Sequence, residues 1–274
     1  MRRGRPTDEE SQWLAQIDPT RLPRHIAMIM DGNGRWARQR HMPRTFGHVR
    51  GAEVVERVVK CCQDLPDRLR ELGRIGPGEP PSRIGYITLY SFSSENWSRP
   101  PDEVETILGL IERKLREKLA ELDQRGIRLR LLGRDAELPA SLRAEFQRDM
   151  EATARNDALT VYLAVNYGGR REIVDAARRL AAAVAAGELS LEAIDEECLG
   201  RHLYAPGVPD PELLVRTGGE LRVSNFLLWQ IAYAEMWVTP TLWPALGHAE
   251  LYRAIAEFQA RERRFGGVLS DKTN

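Results

Sequence analysis

Apolar residues along this chain follow two rhythms. Short unbroken runs are bounded by Gly and polar turns: "HIAMIM" from His25, "IGYITLYSF" from Ile84, "IRLRLLG" from Ile127, "LTVYLAVNY" from Leu159, "LLVR" from Leu213 and "MWVT" from Met236. Runs of this length with such flanks predict buried strands. Between them, apolar residues recur at helical spacing in "HVRGAEVVERVVKCC" (48–62), 102–126, 138–156, "RREIVDAARRLAAAVAAG" (170–187), "NFLLWQIAYAE" (225–235) and 249–264. Alternation of strand and helix predicts an α/β fold, a single domain with a mostly parallel central sheet of six strands and helices on both faces. A polar lead over 1–24 reads as flexible. The Gly- and Pro-rich stretch Asp64–Arg83 interrupts the alternation and reads as an inserted surface loop, leaving one domain over 25–267 and a C-terminal tail at 268–274.

Composition then removes several classes of function. The chain has 274 residues, with 40 Lys plus Arg against 40 Asp plus Glu, so it lacks the basic field typical of nucleic-acid binders and no nucleic-acid partner is expected. Cys61, Cys62 and Cys198 form neither a disulfide framework nor a zinc spacing, which suits a reducing, cytoplasmic setting. No apolar run approaches the roughly 20 residues of a membrane span, and "MRRGRPTDEESQW" has no apolar core of a secretory signal.

Parallel sheets bind ligands beyond the carboxyl ends of their strands. The turn after each predicted strand is therefore the place to look for chemistry. "DGNGR" comes after the first, "SSENWSRP" after the second, "GGR" after the fourth, "TGGELRVSN" after the fifth, and Glu235 precedes the last. An aspartate, several arginines, Ser and Asn donors and many glycines suit a phosphate-bearing ligand with a divalent metal. Glycine admits close approach of backbone N–H groups, and Arg grips phosphate oxygens bidentately. Each piece also has a structural reading: "DGNG" as a turn, "SSENWSRP" as a helix cap before Pro, His48 as a cap of the next helix. Arg216 is harder to dismiss, because an arginine ending an apolar strand is costly to bury without an anionic partner.

Taken together, "HIAMIMDGNGRWA", "RTFGH", "YSFSSENWSRP", "NYGGR", "RTGGELRVSNFLLWQIAYAE", "LWP" and "RERRFGG" resemble the cis-prenyltransferases, specifically the bacterial undecaprenyl diphosphate synthases. The resemblance implies successive Mg²⁺-dependent cis condensation of isopentenyl diphosphate onto an allylic diphosphate such as farnesyl diphosphate. It implies a homodimer, a polyprenyl diphosphate lipid carrier as product, made for cell-wall synthesis, and an apolar tunnel to hold it. With such a product, peripheral membrane contact at product release is expected. By the same resemblance Asp31 positions Mg²⁺ and the diphosphates, with Glu235 as a second metal-associated carboxylate. Gly32, Asn33, Gly34 and Arg35 wrap the allylic diphosphate with Trp36 beside them, and Arg44 and His48 add contacts. Arg216, Arg222, Val223 and Ser224 take the isopentenyl diphosphate, Ser224 also reading as the N-cap of 225–235. Ser93, Ser94, Glu95, Asn96, Trp97 and Arg99 form the loop against the reacting carbons, Asn96 being tied to proton removal.

A neutral amide is a poor base, so chemistry alone favours Asn96 orienting a phosphate oxygen or water. The apolar stripe Val104, Ile107, Leu108, Ile111, Leu115 and Leu119 fits either ordinary core or a tunnel wall. Two features depart from the family pattern: Leu221 stands where many bacterial members have His, and the 64–83 loop is longer than usual. A metal-dependent phosphohydrolase and a non-catalytic scaffold subunit are the rival readings. Asn33 stands where a haloacid-dehalogenase-type site needs its second Asp, and both the Walker pattern and the DDxxD signature of trans-prenyltransferases are absent.

Overall fold

All five residues of β1 (His25–Ile29) are buried, because this strand has neighbours on both edges, helices on one face and the turns carrying Phe226 and Leu227 on the other. The computed structural model describes residues 5–76, 78–79 and 82–261. In chain order β1 follows α1 (Asp8–Leu14) and is succeeded by α2 (Asn33–Arg38), α3 (Arg44–Glu71), β2 (Tyr86–Ser93), α4 (Pro101–Gln124), β3 (Ile127–Leu132) and α5 (Ala140–Ala152). Then come β4 (Leu159–Tyr167), α6 (Gly169–Ala185), α7 (Glu196–Arg201), β5 (Leu213–Arg216), β6 (Glu235–Val238) and α8 (His248–Ala260). The six strands form one sheet, ordered β3-β4-β2-β1-β5-β6, with every pair parallel.

That order contains a switch point. From β1 the chain passes to β2 on one side, and later returns to place β5 on the other. The connections leaving β1 and β5 therefore diverge and open a crevice at the carboxyl ends of these two strands, where ligands of such sheets bind.

One core cluster joins β1, β2 and β5 to α3 and α8, and a second packs α4 and α5 on β3 and β4. On the other face Ala27, Ala164, Tyr167, Phe226 and Leu227 form a third.

Three expectations need correction. The lead is not a loose tail over its described part. Thr7 and Glu10 close a reciprocal cap at the start of α1 (2.9 and 3.2 Å), and Leu14 and Ile17 are fully buried. Gln259 of α8 then ties down this segment through Asp18 N–H (2.8 Å) and the carbonyls of Asp18 and Arg21 (2.9 Å each). The expected loop at 64–83 is helical as far as Glu71, with Pro66 inside the helix, because Leu65 and Leu69 continue the buried face of α3. The helix stops at Gly73, whose φ of 70° allows Gly73 N–H to bond Arg70 O (2.9 Å) and Arg74 N–H to bond Leu69 O (2.8 Å). Residues 77, 80 and 81 of that stretch lie outside the described residues.

The third correction concerns 225–235, which is a series of turns rather than a helix. Ser224, Asn225 and Leu227 all have left-handed φ values (48°, 61° and 47°), which break the helical ladder. The end of "RERRFGG" beyond Arg261 and the tail at 268–274 lie outside the described residues.

Candidate active site

Asp31 lies two residues beyond β1, and Arg216 is the last residue of β5, in register with Ile29. The fold thus brings together two residues far apart in the chain. Arg216 Nη2 donates to Asp31 Oδ2 at 3.0 Å, and Arg35 Nη2 lies 3.2 Å from the same oxygen. Arg35 Nη1 also donates to Gly218 O (2.7 Å). Arg216 is 2% exposed against 30% for Asp31, so the guanidinium is the buried member of the pair. Its Nη1 donates to Ser224 Oγ (2.9 Å) and to the carbonyl of Arg222.

Backbone geometry holds the aspartate in place. Its carbonyl accepts from Thr217 Oγ1 (2.7 Å) and Trp243 N–H (2.9 Å). Gly32 has φ 112°, and a Cβ there would fall 2.9 Å from Leu242 Cβ, so glycine is required on both counts. At Gly47 a Cβ would sit 2.0 Å from Asn33 O, which explains how α3 packs so closely beneath the "DGNG" turn.

A second group gathers on Glu103, in the first turn of α4 and 7% exposed. Arg99 Nη1 donates to Glu103 Oε1 at 3.0 Å, Arg44 Nη2 reaches it at 3.4 Å, and His48 Nε2 lies 3.5 Å away. Burial and the nearby Arg99 push the His48 pKa down against the opposing pull of Glu103, which favours the neutral imidazole. Sequence reasoning missed Glu103. An acidic residue in the first turn of a helix is the ordinary complement of its dipole, so nothing marked this one.

The "SSENWSRP" loop is also fixed from within. Ser93 N–H donates to Asn96 Oδ1 (3.0 Å), which directs the donor end of the amide elsewhere. Trp97 Nε1 donates to Asn166 Oδ1 (2.8 Å) and packs edge-on against Phe92. Asn166, within the "NYGGR" motif but without an expected role, is thus the residue that positions this indole. Glu95 Oε1 accepts from Asn225 Nδ2 (2.7 Å). Burial would raise the Glu95 pKa, but hydrogen bonds from Asn225, its own backbone, Ser93 and Ser94 outweigh it and hold the carboxyl below its usual range.

Two residues are not brought to Asp31. The Arg222 guanidinium is bound to Glu220 (2.6 Å), and only its carbonyl meets Arg216. Glu235 opens β6 opposite Leu213, three positions before the level of Arg216, and pairs with Arg261 (2.9 Å). At about 3.3 Å per residue that puts it some 10 Å down the sheet, so within one chain it does not share a metal with Asp31. Val223 packs against the third core cluster.

A metal here would have one protein carboxylate. Among the described residues no group of three or more His, Cys, Asp or Glu could hold an ion. Both arginines take Asp31 Oδ2, and no hydrogen bond reaches Oδ1 among the described residues. That arrangement fits Mg²⁺, which commonly binds one or two carboxylates and completes its shell with water and phosphate oxygens. Arg216 Nε and Asn33 Oδ1 are buried without hydrogen-bond partners, two polar atoms at one end of the sheet that a polar ligand would satisfy.

Next to these groups lies an apolar cavity of ≈ 180 Å³ between the sheet and the pair α3 and α4. Asn33 and His48 line its end nearest Asp31, and Leu122, Arg125 and Ile127 line the far end. Of the predicted α4 stripe, Ile107, Ile111 and Leu115 line this cavity and, with Val104 and Leu108, also pack in the core shared with α5.

The site therefore belongs to a class: an arginine-lined crevice at the switch point of a parallel sheet, next to an apolar cavity. A family model described as "Putative undecaprenyl diphosphate synthase" matches residues 29–68 and 79–266. The unmatched 69–78 falls within the stretch expected as an insertion. The chain is 46% identical over 263 residues to an isoprenyl transferase of Heliobacterium mobile, spanning 96% of this chain and 95% of that one. It is 45% identical over 253 residues to isoprenyl transferase 2 of Bradyrhizobium diazoefficiens, spanning 92% and 94%.

Two solved structures share the fold. Lavandulyl diphosphate synthase from Lavandula x intermedia, in complex with dimethylallyl diphosphate, has a TM-score of 0.81 at 33% identity, covering 89% of this chain and 98% of that one. A "probable undecaprenyl diphosphate synthase" from Campylobacter jejuni has a TM-score of 0.70 at 34% identity, covering 90% and 99%. The chain belongs to the undecaprenyl diphosphate synthase family and is a cis-prenyltransferase.

Proposed function

We propose that this chain condenses isopentenyl diphosphate repeatedly onto an allylic diphosphate, farnesyl diphosphate being the expected starter. Mg²⁺ is required, and each new double bond is cis. The product is a long polyprenyl diphosphate of the undecaprenyl type, used as a lipid carrier in cell-wall synthesis. The working unit is a cytoplasmic homodimer. The observation that carries the reading is the Asp31 carboxylate held between Arg35 and Arg216 beside an apolar cavity.

In this reaction the allylic C–O bond breaks and pyrophosphate departs with the electron pair. The double bond of isopentenyl diphosphate attacks the allylic carbon, and a proton then leaves the new chain. Negative charge grows on the leaving group, so fixed cations aimed at it lower the barrier. Asp31 would hold Mg²⁺ beside the departing pyrophosphate, where the ion, when bound, would supply further charge neutralisation. The Gly32–Arg35 turn and Trp36 receive the allylic diphosphate, with Arg44 and His48 held in place by Glu103. At an effective dielectric near 20, a charge pair at about 4 Å contributes roughly 4 kcal/mol, so two such arginines account for a large part of the stabilisation.

Arg216 and Ser224 take the second diphosphate, with Val223 beside them and the exposed Arg222 swinging across from Glu220. Separate anchors for the two diphosphates keep the reacting carbons in register. Ser93, Ser94, Glu95, Trp97 and Arg99 wall the reacting carbons. Because Asn96 Oδ1 is occupied by Ser93 N–H, its free amide hydrogens orient a phosphate oxygen, which takes the proton. The cavity receives the growing chain.

Purified protein supplied with farnesyl diphosphate, labelled isopentenyl diphosphate and Mg²⁺ is expected to yield extractable polyprenyl diphosphate, identified by mass. Inorganic phosphate without chain growth would instead support the hydrolase, and no turnover the scaffold subunit.

A further inference from the structure

Between Asp31 and Glu53 the chain carries five arginines, at 35, 38, 40, 44 and 50, and no acidic residue, although the whole chain is balanced at 40 against 40. Three of these arginines meet carboxylates: Arg35 on Asp31, Arg44 on Glu103 and Arg50 on Glu53. Among the described residues Arg38 and Arg40 have no carboxylate partner. Arg40 lies over the Trp36 ring at 4.2 Å, and Trp36 stacks on Phe46 at 6.2 Å. Phe46 is 45% exposed and Met42 is 40% exposed, so α2 and the first turn of α3 display apolar side chains amid unpaired positive charge.

The patch also has a definite place. Asn33 at the start of α2 and His48 near the start of α3 both line the apolar cavity, so Met42 and Phe46 sit on the segment between two residues of its wall. No helix among the described residues is long and apolar enough to cross a membrane. A surface combining cations with shallowly exposed apolar groups suits attachment to a bilayer face carrying anionic headgroups.

We propose that the Arg38–Phe46 segment docks this protein on an anionic lipid surface and turns the Asn33 and His48 end of its apolar cavity toward the bilayer. The inference rests on the proposed reaction only for its purpose, since a polyprenyl product leaving the cavity would pass directly into lipid. Cations attract the headgroups, and Met42 and Phe46 enter the interface. Docking is therefore sensitive to both salt and apolar truncation.

The test is co-sedimentation of the full chain, without substrate, with vesicles of phosphatidylcholine alone or of phosphatidylcholine mixed with phosphatidylglycerol. The wild type is expected to sediment with the mixed vesicles and to be released by high salt. Arg38→Gln/Arg40→Gln and Met42→Gln/Phe46→Gln are each expected to weaken binding about tenfold, as charge and apolar burial contribute separately. Because Arg40 and Phe46 pack on the Trp36 ring, chain elongation by both variants is measured separately in detergent, without vesicles, so that any effect on the reaction is read apart from docking. Binding that ignores phosphatidylglycerol, or survives both double substitutions, would overturn the proposal. So would a fall in oligomer size on substituting Met42 and Phe46, because a second copy would then cover the patch. Elongation is measured apart from docking, so failure of one is distinguishable from failure of the other.

Discussion

Arg216 Nη2 lies 3.0 Å from Asp31 Oδ2, across the seam where β1 and β5 stand side by side. The arginine is buried and the aspartate is not, so the two residues are unequal in what their loss would do. Removing the arginine leaves a carboxylate that water can reach. Removing the aspartate leaves a buried guanidinium with its charge uncompensated.

Asp31→Ala is accordingly expected to cost about 2 kcal/mol of stability, below the range for a fully buried pair because the carboxylate is partly exposed. Asp31→Asn, which keeps an acceptor for Arg216, is expected to cost less than half as much. Urea unfolding of the two variants beside the wild type checks the ordering, and equal losses would remove the argument.

Gly47→Ala is expected to destabilise the protein by about 1–3 kcal/mol, the usual cost of overpacking. The new Cβ would fall 2.0 Å from the Asn33 carbonyl, and backbone cannot rotate aside as a side chain does. The "DGNG" turn would be displaced with it, so turnover should fall alongside the melting temperature. A variant melting like the wild type would show that α2 and α3 are not packed this closely.

His25 gives the protein an acid-sensitive stability. Its imidazole bonds Pro209 O and Thr88 Oγ1 (2.7 and 2.8 Å), and burial lowers its pKa from 6.5 to about 4. Above pH 6.5 the group is neutral whether the chain is folded or not. As pH falls from there toward 4 the unfolded chain takes up a proton that the folded chain refuses, so stability declines. The decline is about 3 kcal/mol, from roughly 1.4 kcal/mol per pKa unit. Chemical denaturation across that range should show a flatter curve for His25→Gln than for the wild type, and parallel curves would exclude His25 as the cause.

Glu103→Gln tests the role of the residue beneath the second group of cations. Arg44, His48 and Arg99 would lose their common anchor, and turnover is expected to fall about tenfold through misplacement. Glu103 also raises the His48 pKa, so the variant should hold His48 still further below its usual value. The proton NMR titration of His48 provides a readout that general loss of structure would not imitate. An unchanged titration with unchanged turnover would leave Glu103 without a positioning role.

Much of this arrangement was legible before the structure, because the strands announced themselves as short apolar runs and each ended in a polar turn. The pairing of Asp31 with Arg216 depends on strand order, which apolar spacing does not encode. At 225–235 the helical spacing of Phe226, Leu227 and Ile231 was real, yet left-handed backbone at Ser224, Asn225 and Leu227 produced turns instead. The cap between Thr7 and Glu10 was readable as T-x-x-E, but the polar composition around it pointed to a mobile lead. Glu103 could not have been found, since its partners come from α3 and from the loop after β2.

Single-turnover chain extension by Asp31→Asn tests the central claim most directly, using labelled isopentenyl diphosphate, farnesyl diphosphate and saturating Mg²⁺. With the fold retained, the rate of carbon–carbon bond formation is expected to drop at least about a hundredfold, as for loss of a major transition-state contact. A rate equal to that of the wild type would contradict it.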